Sequence, residues 1–136
     1  MLTTINGNSF VDKRGILSYN NGLDLSDVKR MYFIESADLS TQRAWQGHQI
    51  EKKWFVAVSG KFLIKLVKID DFQCPSENLK VLLFELDSKT LDALMVKAGF
   101  ASSIQALKIN SKLLVFSNYR MEEILDNFKY DPSQWK

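Results

Sequence analysis

The sequence predicts an all-β protein in which short strands pack as a two-sheet sandwich or barrel. Short apolar runs recur along the chain, and glycine, asparagine or proline residues separate them. These runs are rich in β-branched and aromatic residues, which favour strands. With 136 residues and a mass of 15.7 kDa, the chain is expected to form one domain that spans residues 1–136.

The predicted strands follow one another along the chain. They cover residues 10–11, 16–17, 28–34, 54–58, 62–69, 80–86, 93–96, 104–107 and 112–117. In residues 28–34, alternation places Arg30 and Tyr32 on one face of the strand. The turn signal Ser59-Gly60 between two of these runs predicts an antiparallel hairpin.

One segment near the C-terminus has a different period. Met121, Ile124, Leu125 and Phe128 recur at helical spacing. This pattern indicates either a short amphipathic helix or a turn over residues 121–128.

Charge and cysteine content exclude several classes of partner. The net charge is +2, and the basic residues are interleaved with acidic ones, so a nucleic-acid partner is not expected. No apolar run approaches the length of a membrane span, and the N-terminus lacks the pattern of a signal peptide. The single cysteine, Cys74, lies in a predicted loop and fits a reducing compartment. The chain is therefore expected to be cytoplasmic, without a membrane partner.

The sequence also argues against a cofactor. It has one histidine and one cysteine, whereas transition-metal sites gather several such ligands. It has neither a glycine-rich phosphate loop nor the nucleophile elbow of a serine hydrolase. We expect no metal and no organic cofactor.

Residues 43–60 carry the candidate chemistry and are expected to form a turn followed by one strand. His48, the only histidine, lies five residues after Arg43 and shortly before the apolar run of residues 54–58. An imidazole has a pKa near neutrality, so it can transfer a proton at physiological pH. The alternative interpretation is a structural or exposed histidine.

Four segments in the same order resemble the small cupins that act on nucleotide-linked keto sugars. They are residues 12–17, 28–32, 43–60 and 126–132. Two related groups fit: the dTDP-4-keto-6-deoxyhexose 3,4-ketoisomerases (the WxcM-like family) and the dTDP-4-dehydrorhamnose 3,5-epimerases. The resemblance implies a cupin-type double-sheet jelly-roll barrel with little helix, commonly a homodimer, which binds a dTDP-linked sugar inside the barrel.

The ketoisomerase pattern Arg-Gly-x-His-x-His is partly kept. Arg43 matches the arginine, Ala44 replaces the glycine, Gln46 stands at the first histidine and His48 at the second. The resemblance implies that His48 is the base that removes the proton from carbon 3 of the sugar. A plain 3,5-epimerase is disfavoured, because Gln46 cannot act as its base and Leu114 stands near the place of its tyrosine.

Two polar residues are expected to face the reacting sugar. Ser102 occupies a position where relatives carry histidine or asparagine, and Gln46 lies beside the base in the motif. Their hydrogen-bond donors are suited to stabilising an oxyanion.

Three cations and two tyrosines complete the candidate site. Arg30, Arg43 and Lys53 are expected to hold the diphosphate, because guanidinium and ammonium groups bind phosphate oxygens. Tyr32 shares the strand face of Arg30, and Tyr119 matches a tyrosine of the epimerases. Both tyrosines are candidate substrate contacts.

The sequence thus predicts a metal-independent isomerase of a dTDP-4-keto-6-deoxyhexose, either a 3,4-ketoisomerase or an epimerase-like enzyme, with His48 as the base. The alternative is a non-catalytic cupin that binds a sugar nucleotide. Gln46 and Ser102 keep this alternative open, since neither side chain titrates near neutral pH.

Overall fold

Twelve β-strands form the regular structure of residues 3–136, the part of the chain that this computed structural model describes. In chain order they are β1 (Thr3–Ile5), β2 (Asn8–Asp12), β3 (Gly15–Tyr19), β4 (Arg30–Ile34), β5 (Arg43–His48), β6 (Lys53–Ser59), β7 (Lys61–Lys68), β8 (Val81–Asp87), β9 (Ala93–Val96), β10 (Phe100–Ala106), β11 (Lys112–Ser117) and β12 (Phe128–Lys129). These residues contain no helix, and the predicted all-β class is confirmed.

Ten of the strands form two antiparallel five-stranded sheets. The first sheet has the order β1-β9-β6-β11-β4, and the second has the order β12-β5-β10-β7-β8. Strands β2 and β3 form a separate hairpin, in which Asp12 pairs with Gly15 at the turn. The two large sheets confirm the expected double-sheet architecture.

The main core lies between the two sheets. Phe62, Ile64 and Leu66 alternate along β7, and all three are fully buried. They belong to one apolar cluster with Phe55 of β6 and Leu113 of β11, which lie in the first sheet. The period-2 pattern of β7 therefore sets its inward face, as expected for a strand of a sandwich.

The C-terminal tail covers the outer face of the second sheet. Trp135 packs edge-to-face against Trp45 of β5, with ring centroids 5.3 Å apart. Backbone amides of Trp45 and Tyr130 donate to each other's carbonyl oxygens at 3.1 and 3.0 Å. These contacts fix the tail, and the segment that precedes it, against β5.

The hairpin predicted around Gly60 is wrong. β6 and β7 lie in different sheets: β6 pairs with β9 and β11, while β7 pairs with β8 and β10. Gly60 turns the chain from one sheet to the other with a φ of 70°, and a Cβ there would clash with Ser111. Alternation identifies the buried face of a strand, but it does not identify the strand's hydrogen-bonding neighbour.

One further expectation needs correction. Residues 43–60 form two strands, β5 and β6, in opposite sheets instead of a turn and one strand.

Of the two alternatives for residues 121–128, the turn is confirmed. Residues 121–127 form no helix and run as turns and irregular backbone. Leu125 is 100% exposed and Met121 is 71% exposed, so these apolar side chains have no core to pack against. Without that burial, a short helix is not stable in water.

No helix with the length and hydrophobicity of a membrane span occurs in residues 3–136.

Candidate functional site

A cavity of about 940 Å³ opens at one end of the two sheets. The first sheet and its β5–β6 connection contribute Arg30, Tyr32, Glu51 and Lys53, and the second sheet contributes Gln46 and His48. The irregular segment of residues 120–127, together with Phe128, forms the remaining wall. The cavity therefore lies where side chains of both sheets and the C-terminal segment meet.

In the part of the cavity wall that the first sheet forms, residues of neighbouring strands lie opposite one another. Ser117 of β11 lies opposite Arg30 of β4 on one side and opposite Lys53 of β6 on the other. Tyr32 lies two residues further along β4 on the same face, and Lys53 Nζ donates a 3.2 Å hydrogen bond to its hydroxyl oxygen. Strand register thus brings two cations and a phenol together.

Glu51 neutralises these cations from the loop between β5 and β6. Its carboxylate accepts a 2.6 Å hydrogen bond from the hydroxyl of Ser117. Arg30 Nη2 and Lys53 Nζ lie 3.6 and 3.9 Å from the same oxygen. Because only 8% of the Glu51 side chain is exposed, these contacts are poorly screened by water.

His48 ends β5, and its two ring nitrogens have different surroundings. Nδ1 lies 2.7 Å from the backbone carbonyl oxygen of Asp126. A carbonyl oxygen can only accept, so Nδ1 carries the hydrogen of the neutral ring and Nε2 keeps its lone pair. Nε2 is buried and has no hydrogen-bond partner among the described residues. The free lone pair in a cavity wall is the arrangement that a general base needs.

The surroundings of His48 favour this neutral form. Burial lowers the pKa of the imidazole below its ordinary value of 6.5, and the positive charge of Lys53 lowers it further. The carboxylate of Glu51 and the contacts with Asp126 oppose this shift. The net result is a histidine that is unprotonated at neutral pH.

Asp126 holds the loop that follows His48. Asp126 is buried, with only 4% of the residue exposed. Its carboxylate accepts hydrogen bonds from the backbone amides of Gln49, Ile50 and Glu51 at 2.7, 2.8 and 2.7 Å. The same residue therefore binds His48 through its carbonyl oxygen and the following loop through its side chain.

A second cavity of about 430 Å³ continues along β5. It shares Tyr32, Gln46 and Lys53 with the first cavity. Its own polar lining includes Arg43, Ser102 and Lys129. A ligand that extends past the three shared residues can therefore occupy both cavities.

The structure brings together most residues that the sequence predicted. One or both cavities are lined by His48, Arg30, Tyr32, Arg43, Gln46, Lys53 and Ser102. Tyr119 lines neither cavity, and its ring instead lies under Lys29 Nζ at 5.6 Å. Its carbonyl oxygen accepts a 3.2 Å hydrogen bond from Arg30 Nε, so Tyr119 contacts a site residue through its backbone.

Sequence reasoning missed four residues of the site: Glu51, Ser117, Asp126 and Lys129. Ser117 and Asp126 lie 66 and 75 positions from Glu51, and no motif marks them. The position of Glu51 three residues after the only histidine was a usable signal, because His48 ends β5 and Glu51 lies in the short loop that follows.

The donor atoms of His48, Glu51 and Asp126 lie within 4.8 Å of one another, a spacing that a metal ion requires. Most of these donor atoms are already engaged, however, and within the described part of the chain Nε2 of His48 is the nitrogen that keeps a free lone pair. Nδ1 of His48 faces a carbonyl, the Asp126 carboxylate holds three amides, and Glu51 binds Ser117 beside two cations. A site for a transition metal needs several free lone pairs directed at one point, and this cluster does not offer them. The absence of a metal cofactor stays a prediction that this bonding supports.

Solved structures of sugar-nucleotide enzymes share this fold. One is the 3,4-ketoisomerase QdtA from Thermoanaerobacterium thermosaccharolyticum, solved as a histidine-to-asparagine mutant in complex with TDP-4-keto-6-deoxyglucose. It matches with a TM-score of 0.72 and 21% identity, over 95% of this chain and 87% of that chain. The TDP-quinovose 3,4-ketoisomerase WlaRB from Campylobacter jejuni matches with a TM-score of 0.71 and 17% identity over 98% and 95% of the two chains. The 3'-monoepimerase ChmJ from Streptomyces bikiniensis, in complex with dTDP-quinovose, has a TM-score of 0.72 and 15% identity over 96% and 70%.

No protein-family profile and no curated protein sequence matches this chain. The structural likeness nevertheless establishes an all-β, cupin-like fold of the kind found in dTDP-sugar ketoisomerases and epimerases. The resemblance expected from the sequence is thus confirmed at the level of the fold.

Proposed function

We propose that this protein is an isomerase of a dTDP-linked 4-keto-6-deoxyhexose that interconverts the 4-keto and 3-keto sugars. One observation carries the proposal: Nε2 of His48 is buried in the cavity wall without a partner, while Nδ1 is bound to a carbonyl. The fold shared with sugar-nucleotide ketoisomerases and epimerases supports the choice of substrate class.

The reaction needs one base and no oxidant. The ketone at carbon 4 acidifies the hydrogen at carbon 3, and His48 Nε2 removes that hydrogen as a proton. The electron pair of the broken C–H bond forms an enediolate across carbons 3 and 4. The hydroxyl hydrogen on oxygen 3 moves to oxygen 4, and return of the proton to carbon 4 leaves a ketone at carbon 3, so atoms and electrons balance within the sugar.

Neighbouring donors support the enediolate. Gln46 donates one amide hydrogen to Asn127 at 2.8 Å, which leaves its second amide hydrogen for a substrate oxygen. The Tyr32 hydroxyl accepts from Lys53, so its own hydrogen is also available. Ser102, opposite Gln46 on β10, adds a third donor. Donors that are fixed before the reaction stabilise developing charge most effectively.

The charge of the two cavities favours one orientation for the nucleotide. Arg30, Lys53 and Arg120 in the first cavity are balanced by Glu51, Glu122 and Asp126. Arg43, Lys53 and Lys129 line the second cavity, and no acidic side chain among the described residues does so. We therefore propose that the sugar lies beside His48 and that the diphosphate extends along β5 toward Arg43 and Lys129. Arg30 and Lys53 then contact the end of the ligand that carries the sugar.

We also propose that two copies of the chain form a homodimer. Phe10, Val11, Ile16 and Leu17 of the β2–β3 hairpin are 55–71% exposed. Met31 and Phe33 are also more than half exposed on β4, an edge strand of the first sheet. Exposed apolar patches and an open strand edge are typical of surfaces that bind another protein. In a symmetric dimer, such a patch packs against the same patch of the second copy.

The reaction is tested by incubating the protein with dTDP-4-keto-6-deoxyglucose in D₂O and following the sugar by NMR. The proposal predicts deuterium at carbon 3 and at carbon 4, together with a 3-keto product. Tight binding of dTDP without any exchange would overturn the enzymatic proposal and favour the non-catalytic sugar-nucleotide-binding cupin.

A further inference from the structure

We infer that Asp126 is a positioning residue that fixes the tautomer and the orientation of His48. The inference rests on the proposed role of His48 as the base, and it concerns a residue that the motif of residues 43–60 does not contain. Asp126 lies 78 positions after His48 and contacts it only through the fold.

The side chain of Asp126 anchors its own backbone. Three consecutive amides, those of residues 49–51, donate to its carboxylate at 2.7 to 2.8 Å. Hydrogen bonds to an ionised acceptor are about twice as strong as those between neutral groups. The carboxylate is buried, so loss of its charge would leave these amides without an equivalent acceptor.

The anchored backbone in turn determines which nitrogen of His48 is the base. The carbonyl oxygen of Asp126 lies 2.7 Å from Nδ1, so Nε2 is the ring nitrogen without a partner in residues 3–136, on a side chain that lines the cavity. If this carbonyl moved, the neutral ring would be free to place its hydrogen on Nε2, the tautomer that unconstrained imidazole prefers. In that tautomer, the nitrogen that faces the sugar has no lone pair with which to remove a proton.

Two further contacts hold the same segment in place. Gln46 donates to the side-chain oxygen of Asn127 at 2.8 Å, and Phe128 of β12 pairs with Gly47 of β5. Asp126 therefore lies in a segment that is joined to β5 before His48 and, through its own carboxylate, to the loop after His48. The Asp126 side chain therefore fixes this segment at the point where its backbone contacts the imidazole ring of His48.

The test combines ¹⁵N NMR of the histidine ring with exchange kinetics on the full chain. In the wild type, neutral His48 should show the Nδ1–H tautomer. Asp126→Asn should raise the Nε2–H population and lower deuterium exchange at carbon 3 about 10²-fold, because a small misplacement of a catalytic group has an effect of this size. The loss should appear in kcat, while dTDP affinity stays at the wild-type value.

Asp126→Asn should also lower the pKa of His48. The charged groups that face the ring are Glu51, Lys53 and Asp126, and the Asp126 carboxylate raises the pKa of His48. Asp126→Glu, which retains the charge, should restore the pKa and part of the exchange rate. Asp131→Asn is the matched control, since Asp131 is exposed in the same tail and its carboxylate bonds only Ser133 among the described residues.

Two outcomes would overturn the inference. One is a wild-type spectrum with the Nε2–H tautomer, which needs no variant to fold. Another is a folded Asp126→Asn protein with an unchanged tautomer and exchange rate. If the tautomer changes in Asp126→Asn but the wild type exchanges no deuterium, the positioning role stands and the proposed reaction fails.

Discussion

Glu51 accepts a 2.6 Å hydrogen bond from Ser117, although 66 positions separate the two residues in the chain. This bond joins the loop after β5 to the last residue of β11, between Arg30 and Lys53. The site is thus assembled around a buried carboxylate whose charge balances the two cations beside it.

Glu51→Gln should destabilise the protein by about 3 kcal/mol, because it leaves buried cations without a counter-charge. Urea unfolding measures the change. Glu85→Gln is the matched control: Glu85 pairs with Lys61 at 3.3 Å with 58% of its side chain exposed. A surface pair of this kind contributes less than about 1 kcal/mol. Equal losses in the two variants would contradict the importance of the buried cluster.

The pKa of His48 should lie below 6.5, because burial and Lys53 disfavour the imidazolium ion. The unfolded chain then takes up a proton first as the pH falls, so the free energy of unfolding should decrease below about pH 6.5. The exchange rate should stay constant above this pH and fall as the folded-state pKa is crossed. An NMR titration of the single histidine measures this pKa directly.

Lys53→Met tests in which direction the charge of Lys53 shifts the pKa of His48. Removal of the positive charge should raise the pKa of His48, since Lys53 lowers it in the wild type. A titration in which the pKa falls or stays constant would show that Lys53 does not act on the ring by its charge.

Arg43→Gln and Lys129→Gln should each weaken dTDP binding about tenfold, because each removes a charged hydrogen bond to the diphosphate. Isothermal titration calorimetry provides the affinities. Lys89→Gln, on the exposed turn after β8, removes the same charge far from both cavities and should bind as the wild type does. Wild-type affinity in the Arg43 and Lys129 variants would place the diphosphate elsewhere.

The double substitution Ile16→Ser and Phe33→Ser should convert the proposed dimer into a monomer, which sedimentation velocity can measure. Both side chains are more than half exposed, so the fold of the single chain should tolerate the change. Leu83→Ser on β8, which is 62% exposed, is the control and should remain dimeric. A wild-type protein that sediments as a monomer would exclude the proposed interface.

The positions of most strands could be predicted from the sequence, because alternation and turn residues depend only on neighbouring positions in the chain. β9 and β11 have the predicted bounds. The sequence did not predict that β6 and β7 lie in different sheets, because the neighbour of a strand depends on how the two sheets close around a shared core. The spacing of residues 121–128 left a helix and a turn open, and the turn forms because these apolar side chains line the cavity or face solvent and have no core to pack against.

The site was predictable where a motif carries it and not where the fold assembles it. Gln46 and His48 are two residues apart on β5, so alternation alone places both on one face of the strand. Arg43 lies an odd number of positions away and lines the second cavity beyond the point where the register of β5 against β10 shifts. Asp126 and Lys129 reach the site because the C-terminal segment returns along β5, a contact that no local pattern encodes. The carbonyl that binds His48 is invisible to sequence reasoning, since every residue carries one.

The most direct test of the account replaces the base and compares exchange with binding in the same protein. His48→Asn retains a polar side chain but removes the titratable nitrogen, and loss of a general base typically lowers the rate about 10²–10⁴-fold. The account predicts this loss in deuterium exchange at carbon 3 of dTDP-4-keto-6-deoxyglucose, with wild-type affinity for dTDP. An exchange rate equal to that of the wild type would contradict the assignment of His48 as the base.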